Sequence, residues 1–171
     1  MVIAVIGTRK PAPEVVSLCE RICVAFRDLG CSLVTGNAMG IDGIARDVWN
    51  ERAPERVTLI LPWAGYNRQF IRPQNHVVVF ENQKAWKDSV RKYHPAAGRL
   101  SVGGFKLHAR NFGIIEAADV VIAFPSNKPG GGGTGQGIRI ARDMGKPLFI
   151  LPQDLKALRQ FYVECRRDRA Y

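Results

Sequence analysis

The 171-residue sequence predicts an α/β protein built on a doubly wound, mostly parallel sheet with helices on both faces, a three-layer sandwich. Three observations carry this. Short Val- and Ile-rich runs ("VIAVI" at 2–6, "RVTLILP" at 56–62, "VVIAFP" at 120–125) lack polar alternation, as strands buried on both faces do. Segments with apolar residues at helical spacing lie between such runs, and the order strand–helix–strand–helix–strand implies right-handed crossovers. Glycine clusters stand where strands end.

Element by element, the first strand closes on Gly7. Pro13 opens a helix whose apolar positions are Val15, Cys19, Ile22, Phe26 and Leu29, and Gly30 stops it. "CSLVTG" is a second strand, and "GIDGIARDVWNERA" a helix from about 41 to 53 with Asp42 near its positive end. The third strand ends at Pro62. "WAGYNRQFIRPQN" has no clear period and reads as a long loop. "HVVVFE" is a short strand, "NQKAWKDSVRKYHP" a helix ended by Pro95, and after "AAGRLSVGG" a further helix runs through "HARNFGIIEAAD". Beyond the strand at 120–125 and its glycine loop, "GQGIRIARDMG" is a helix stopped by Gly145, "PLFIL" a last parallel strand, and "DLKALRQFYVECRRDR" a closing helix. With neither repeat nor linker, residues 1–171 are expected to form one domain.

Composition narrows the class. No apolar run approaches the roughly 18 residues of a membrane span, and no basic region precedes the first apolar stretch. A cytoplasmic protein without membrane attachment is expected. Cys19, Cys23, Cys31 and Cys165 show no C-x-x-C spacing, so structural thiols are expected and no metal site. The net charge is +10 and unevenly spread. Residues 1–65 balance, whereas residues 66–110 carry nine basic and two acidic side chains. That concentration points to a polyanionic partner. Trp63, Tyr66, Phe70, Trp86 and Tyr93 are interleaved there with Arg68, Arg72, Arg91 and Lys92, a mixture suited to stacking bases and pairing phosphates.

Ligands of open parallel sheets bind beyond the carboxyl ends of the strands, and every unusual stretch falls there. "GTRKP" offers Gly7 for the turn and Thr8, Arg9 and Lys10 as donors. "TGNAMGIDG" supplies Gly36, Asn37 and Gly40 ahead of a helix start that can hold an anion, with Asp42 placed to cap the helix or orient the loop. "SNKPGGGGTGQ" lets backbone N–H groups approach a phosphate with no Cβ in the way, and the Thr134 hydroxyl adds a donor. It is no Walker A loop, since no Lys-Ser or Lys-Thr follows, and no dinucleotide fingerprint, since it follows a late strand. Arg110 and Asn111 sit on the helix before that strand.

These residues resemble a known group. "VIGTRKP…LVTGNAMGIDGIARDVW" is similar to the G-S/T-R and S/T-G-x-A-x-G-I-D-x-x-A signatures of the DNA-processing protein DprA/Smf. "RNFGIIEAADVVIAFPSNKPGGGGTGQGI" is similar to that family's R-N-x-I segment, strand and Gly-Gly-Thr loop. Both belong to the DprA/LOG (SLOG) Rossmann-like superfamily. The likeness covers about four-fifths of the chain and leaves residues 62–105 divergent. It implies a dimer that binds single-stranded DNA without catalysis and cooperates with a recombination protein. It also implies pocket roles for Gly7, Thr8 and Arg9, a second loop of Gly36, Gly40 and Asp42, a wall of Arg110 and Asn111, and a phosphate cradle of Gly131, Gly132, Gly133 and Thr134. Arg46 departs from the family's usual His and is expected to add positive charge.

The LOG-type relatives are nucleoside monophosphate phosphoribohydrolases with a P-G-G-x-G-T-x-x-E motif. Here the frame runs from Pro129 to Gly137, so glycine occupies the catalytic carboxylate's place and the adjacent Gln136 cannot ionise. An oxocarbenium-like transition state needs that negative charge. No catalytic residue and no cofactor are therefore expected. Two other readings stand beside single-stranded DNA binding: a mononucleotide sensor or sequestering protein using the same loops, and a hydrolase using another acid such as Glu116 or Asp119.

Overall fold

The computed structural model describes residues 1–128 and 131–169; Pro129 and Gly130 of the glycine loop lie outside them. Six strands form one sheet: β1 (Val2–Gly7), β2 (Ser32–Thr35), β3 (Val57–Leu61), β4 (His76–Val79), β5 (Val120–Phe124) and β6 (Leu148–Ile150). They lie in the order β4-β3-β2-β1-β5-β6, and every neighbouring pair is parallel. Strand β1 is therefore the turning point: β2 to β4 build outward on one side and β5 and β6 on the other.

The absence of alternation in the strands has its cause in the two covered faces. Ile3, Val5, Leu33, Leu59, Leu61, Ile122 and Phe124 face one layer, while Ala4, Ile6, Val34, Ile60, Val121 and Ala123 face the other. The first layer holds α1 (Pro13–Asp28), α2 (Ile41–Arg52) and α6 (Leu155–Asp168), through residues such as Phe26, Trp49 and Leu158. The second holds α3 (Lys84–Tyr93), α4 (Val102–Ala117) and α5 (Gly132–Asp143), through Trp86, Val90, Ile114 and Ile140. Complete burial of a large apolar side chain contributes about 1.5–3 kcal/mol, so both layers are strongly held. Trp49 keeps its indole N–H satisfied by donating to the Cys31 carbonyl at 2.9 Å.

The expected strands and helices are present, with shifted starts for two helices that matter to the site. Helix α4 begins at Val102, six residues before "HARNF", because Ser101 caps it by accepting the Gly104 N–H at 3.0 Å. Helix α5 begins at Gly132, so the last glycines of the loop and Thr134 belong to its first turn. The 62–75 crossover between β3 and β4 is irregular apart from a short 3-10 turn at Arg68–Phe70. It is tied down by Asn75, which donates to Asn50 at 2.7 Å and to the Pro54 carbonyl at 2.9 Å.

All four cysteines are free thiols; Cys19 and Cys23 sit buried on one face of α1 with sulfurs 3.9 Å apart. Among the described residues no helix is long and apolar enough to cross a membrane, and no three metal-ligating side chains cluster.

Candidate nucleic-acid interface

A cavity of about 410 Å³ opens at the carboxyl ends of β1 and β5, where the sheet changes direction. Its first wall is the loop after β1. The Thr8 N–H donates to the Phe124 carbonyl at 2.9 Å, and the Thr8 carbonyl accepts from Ile41 at 3.1 Å. The loop is thereby pinned between β5 and the start of α2. A Cβ at Gly7 would come within 2.6 Å of the Ile41 side chain. Gly40, at φ +76°, lies so close under Arg9 that a Cβ there would come within 2.6 Å of the Arg9 backbone. Both glycines exist for close backbone approach.

The floor is organised by Asp42 and Arg110. Asp42 is buried and accepts the N–H groups of Gly36 at 3.1 Å and Ala38 at 3.4 Å, so it orients the second loop. Burial raises its pKa above the usual carboxylate value, opposed by the nearby Arg110 charge and those N–H bonds. Arg110 is only 4% exposed. Its guanidinium donates to the Gly36 carbonyl, to Ile60 at 3.3 Å and, through Nε, to Leu107 at 3.3 Å. It also lies over the Tyr66 ring, 5.6 Å from the centroid. Burial lowers its pKa and Asp42 opposes the shift.

The far wall is α4 and the start of α5. Gly104, Leu107, His108, Arg110 and Asn111 line the cavity from α4; Gly131 to Thr134 and Gly137 line it opposite. First-turn N–H groups of a helix have no intrahelical partner, and here they border the cavity beside the positive end of the helix dipole. Asn111 and His108 meet at one atom: Gln136 Oε1, 2.9 Å from Asn111 Nδ2 and 2.8 Å from His108 Nδ1. Gln136 Nε2 is buried without a hydrogen-bond partner among the described residues. Burial pushes the His108 pKa down, assisted by neighbouring His94, Arg110 and Arg9 and opposed by the Gln136 contact.

At Gly137, where the hydrolase pattern has Glu, a Cβ would lie 2.7 Å from Ile6 Cδ1. Any side chain there requires the tip of Ile6 to shift. Asp42, the one carboxylate among the described lining residues, is spent on the 36–38 backbone.

Of the residues expected from sequence, Gly7, Thr8, Arg9, Asp42, Arg110, Asn111, Gly131, Gly132, Gly133 and Thr134 converge on this one cavity. Gly36 and Gly40 build its walls without lining it. Lys10 is exposed beyond the rim, and Arg68 is exposed on the crossover loop, off the cavity. Asn37 is wholly buried. Its amide donates to the Tyr66 and Asn67 carbonyls at 3.0 and 3.2 Å, and its Oδ1 accepts from Arg46 at 2.8 Å. It fastens the loop from the interior and does not line the cavity.

The expectation that Arg46 adds positive charge to the site is also corrected. Arg46 is buried, bonded to Asn37 and Asp47, and lies 4.3 Å over the Phe70 ring. Part of the basic charge of the 66–110 segment is ion-paired at the surface. Lys84 and Arg91 pair with Asp88, and Lys92 pairs with Asp143. Trp86 is stacked against Phe80 in the core, with ring centroids 6.1 Å apart. Sequence reasoning passed over Ser126, Lys128 and His108, which line the cavity. His108 had a usable signal: it lies three residues before Asn111, on the same helical face.

A six-stranded parallel sheet between two helical layers, with a recess at its turning point, defines a Rossmann-like α/β protein. The chain belongs to the DNA recombination-mediator protein A family, whose profile matches residues 1–162, and this assigns it to DNA processing and recombination. No curated protein sequence matches it significantly. Among solved structures it is similar to DNA processing protein A of Helicobacter pylori, a single-stranded DNA binder. The TM-score is 0.70 at 21% identity, over 98% of this chain and 81% of that one. It is also similar to the molybdenum cofactor binding protein of Rippkaea orientalis, with TM-score 0.60 at 20% identity over 96% and 83% of the two chains. The molybdenum cofactor carrier protein of Chlamydomonas reinhardtii gives 0.59 at 15% identity over 94% and 84%. At these identities the likenesses establish a shared fold.

Proposed function

We propose that the protein is a non-catalytic binder of single-stranded DNA that acts in recombination and holds backbone phosphate in the cavity between β1 and β5. The observation that carries this is the cavity's chemistry: helix-start N–H groups, Thr8, Thr134, Asn111 and the rim cations Arg9 and Lys128 surround it, while its one carboxylate is engaged by backbone. Such a site attracts an anion, and its one carboxylate is held by the 36–38 backbone and is not free to act as a base. Family membership and the DNA-binding activity of the Helicobacter pylori protein support DNA as the polyanion. A recessed phosphate site suits a flexible single strand better than a stiff duplex.

The test is fluorescence anisotropy with a labelled oligothymidylate across a salt series. Affinity is expected to fall as salt rises, with a log–log slope of about −0.7 per phosphate engaged. Absence of salt-sensitive binding at low ionic strength overturns the reading.

The volume of the recess, about 410 Å³, favours one second reading, a mononucleotide held whole. A thermal-shift panel separates the two. Strong stabilisation by one mononucleotide with oligonucleotides inert supports the second; the reverse supports the first.

A further inference from the structure

The three tryptophans have distinct fates. Trp49 and Trp86 are buried, one in each helical layer, while Trp63 is 37% exposed at the carboxyl end of β3. Trp63 is braced on two sides while part of its ring faces solvent. Its ring meets Tyr66 edge to face, with centroids 5.2 Å apart and planes at 84°. On another side it lies against the start of α4, where a Cβ at Gly103 would be 3.9 Å from Trp63 Cζ3. Gly104, the next residue, lines the cavity, and Val102, the preceding one, is strongly exposed.

Contacts connect this ledge to residues that line the cavity. Tyr66, which braces Trp63, lies beneath the Arg110 guanidinium, and its carbonyl is tied to Asn37 at 3.0 Å. Its apolar surface therefore adjoins a recess lined with hydrogen-bond donors. That pairing is what a nucleotide presents: an anionic phosphate a few ångströms from a flat, apolar-faced base.

We propose that Trp63 is a stacking platform for one unpaired nucleobase of the strand whose phosphate occupies the adjoining cavity. The inference rests on the single-stranded DNA reading above. The ring's position at the rim makes it a positioning residue for the strand. A duplex, with its bases stacked inside, has no base to offer it. Stacking is tolerant of base identity, because every base has a π-face, so Trp63 contributes affinity without sequence preference.

The experiment uses intrinsic tryptophan fluorescence of the full chain, titrated with an oligothymidylate and with an abasic strand of equal length. Trp49 and Trp86 are buried away from direct contact with a base, and the Trp63→Ala variant assigns any change on binding to Trp63. The expected result is quenching by oligothymidylate and little by the abasic strand, which still binds through phosphate. Trp63→Ala is expected to abolish the quench and weaken oligothymidylate binding about 5- to 100-fold, with abasic binding little changed. Trp63→Phe, which keeps an aromatic face, recovers part of the loss and guards against a folding defect in the alanine variant.

Salt-sensitive binding with no quench, or equal affinity of Trp63→Ala and wild type, overturns the stacking proposal and leaves phosphate binding standing. No binding of either strand by the wild-type chain overturns both. Loss of self-association in Trp63→Ala with unchanged DNA affinity assigns the ledge to a protein contact and overturns the proposal.

Discussion

Asp42 and Arg110 hold opposite ends of one residue: Asp42 accepts the Gly36 N–H, and Arg110 donates to the Gly36 carbonyl. One side chain comes from α2 and the other from α4, so helices on opposite faces of the sheet fix the loop after β2 from both sides. Gly36 has no Cβ because the Arg110 guanidinium occupies that position.

Arg110 is therefore a fastener as well as a wall of the cavity. Arg110→Ala leaves the Gly36 and Ile60 carbonyls without their donor and Asp42 without its counter-charge, and is expected to cost about 3–5 kcal/mol. Arg110→Lys is expected to recover part of this, since a single ammonium cannot reproduce the planar fork. Chemical denaturation checks both, and oligonucleotide affinity is expected to fall in the same order.

Arg9 is exposed at the rim, whereas Arg52 is exposed at the far end of α2. Arg9→Ala is expected to weaken oligonucleotide binding and reduce the salt slope by about one unit, while Arg52→Ala leaves both unchanged. Anisotropy titrations at several salt concentrations read the two quantities together.

His108 makes stability depend on pH. Its native pKa lies below the ordinary value of 6.5, chiefly through burial. Between the native and ordinary values the unfolded chain binds a proton that the native chain refuses. Stability therefore rises with pH across that interval, is complete above about 6.5, and falls on acidification. His108→Gln is expected to flatten this limb of the profile. Urea denaturation between pH 5 and 8 checks it.

Gly113 allows α4 to meet α3: a Cβ there would collide with the Trp86 ring, which is buried. Gly113→Ala is expected to lower stability by about 1–3 kcal/mol, although alanine in an open helix position would gain about 1 kcal/mol. Thermal or urea denaturation reads the sign. A neutral or stabilising outcome would mean that Trp86 repacks freely.

Much of the site was legible because its residues are defined by backbone demands. Gly7, Gly40 and the glycines at 131–133 mark close approaches and a helix start, Thr8 and Arg9 follow Gly7 directly, and Arg110 and Asn111 form a recognisable Arg-Asn pair on the helix before β5. The parallel sheet was equally legible, since strands covered on both faces have a composition that few alternatives share. Polar residues whose role depends on a distant partner were not. Asn37 and Arg46 read as ligand-facing polar groups, yet each satisfies the other in the interior, nine residues apart. The same limit applied to the aromatics: Trp63 and Trp86 look alike in sequence, and only packing leaves one partly exposed and sends the other into the core.

The sequence by itself determined the layer order, the run of glycine turns at the strand ends, and the presence of glycine rather than a carboxylate at position 137. These follow from local periodicity, backbone conformation and residue identity. The tertiary structure decided where charge remains available. It buried Arg46 and Arg110, paired Lys84, Arg91 and Lys92 with Asp88 and Asp143, and left Arg9 and Lys128 at the mouth of the cavity. A side chain's exposure and partners are set by chain segments far away in sequence, so no count of basic residues along the chain determines the field that a ligand meets.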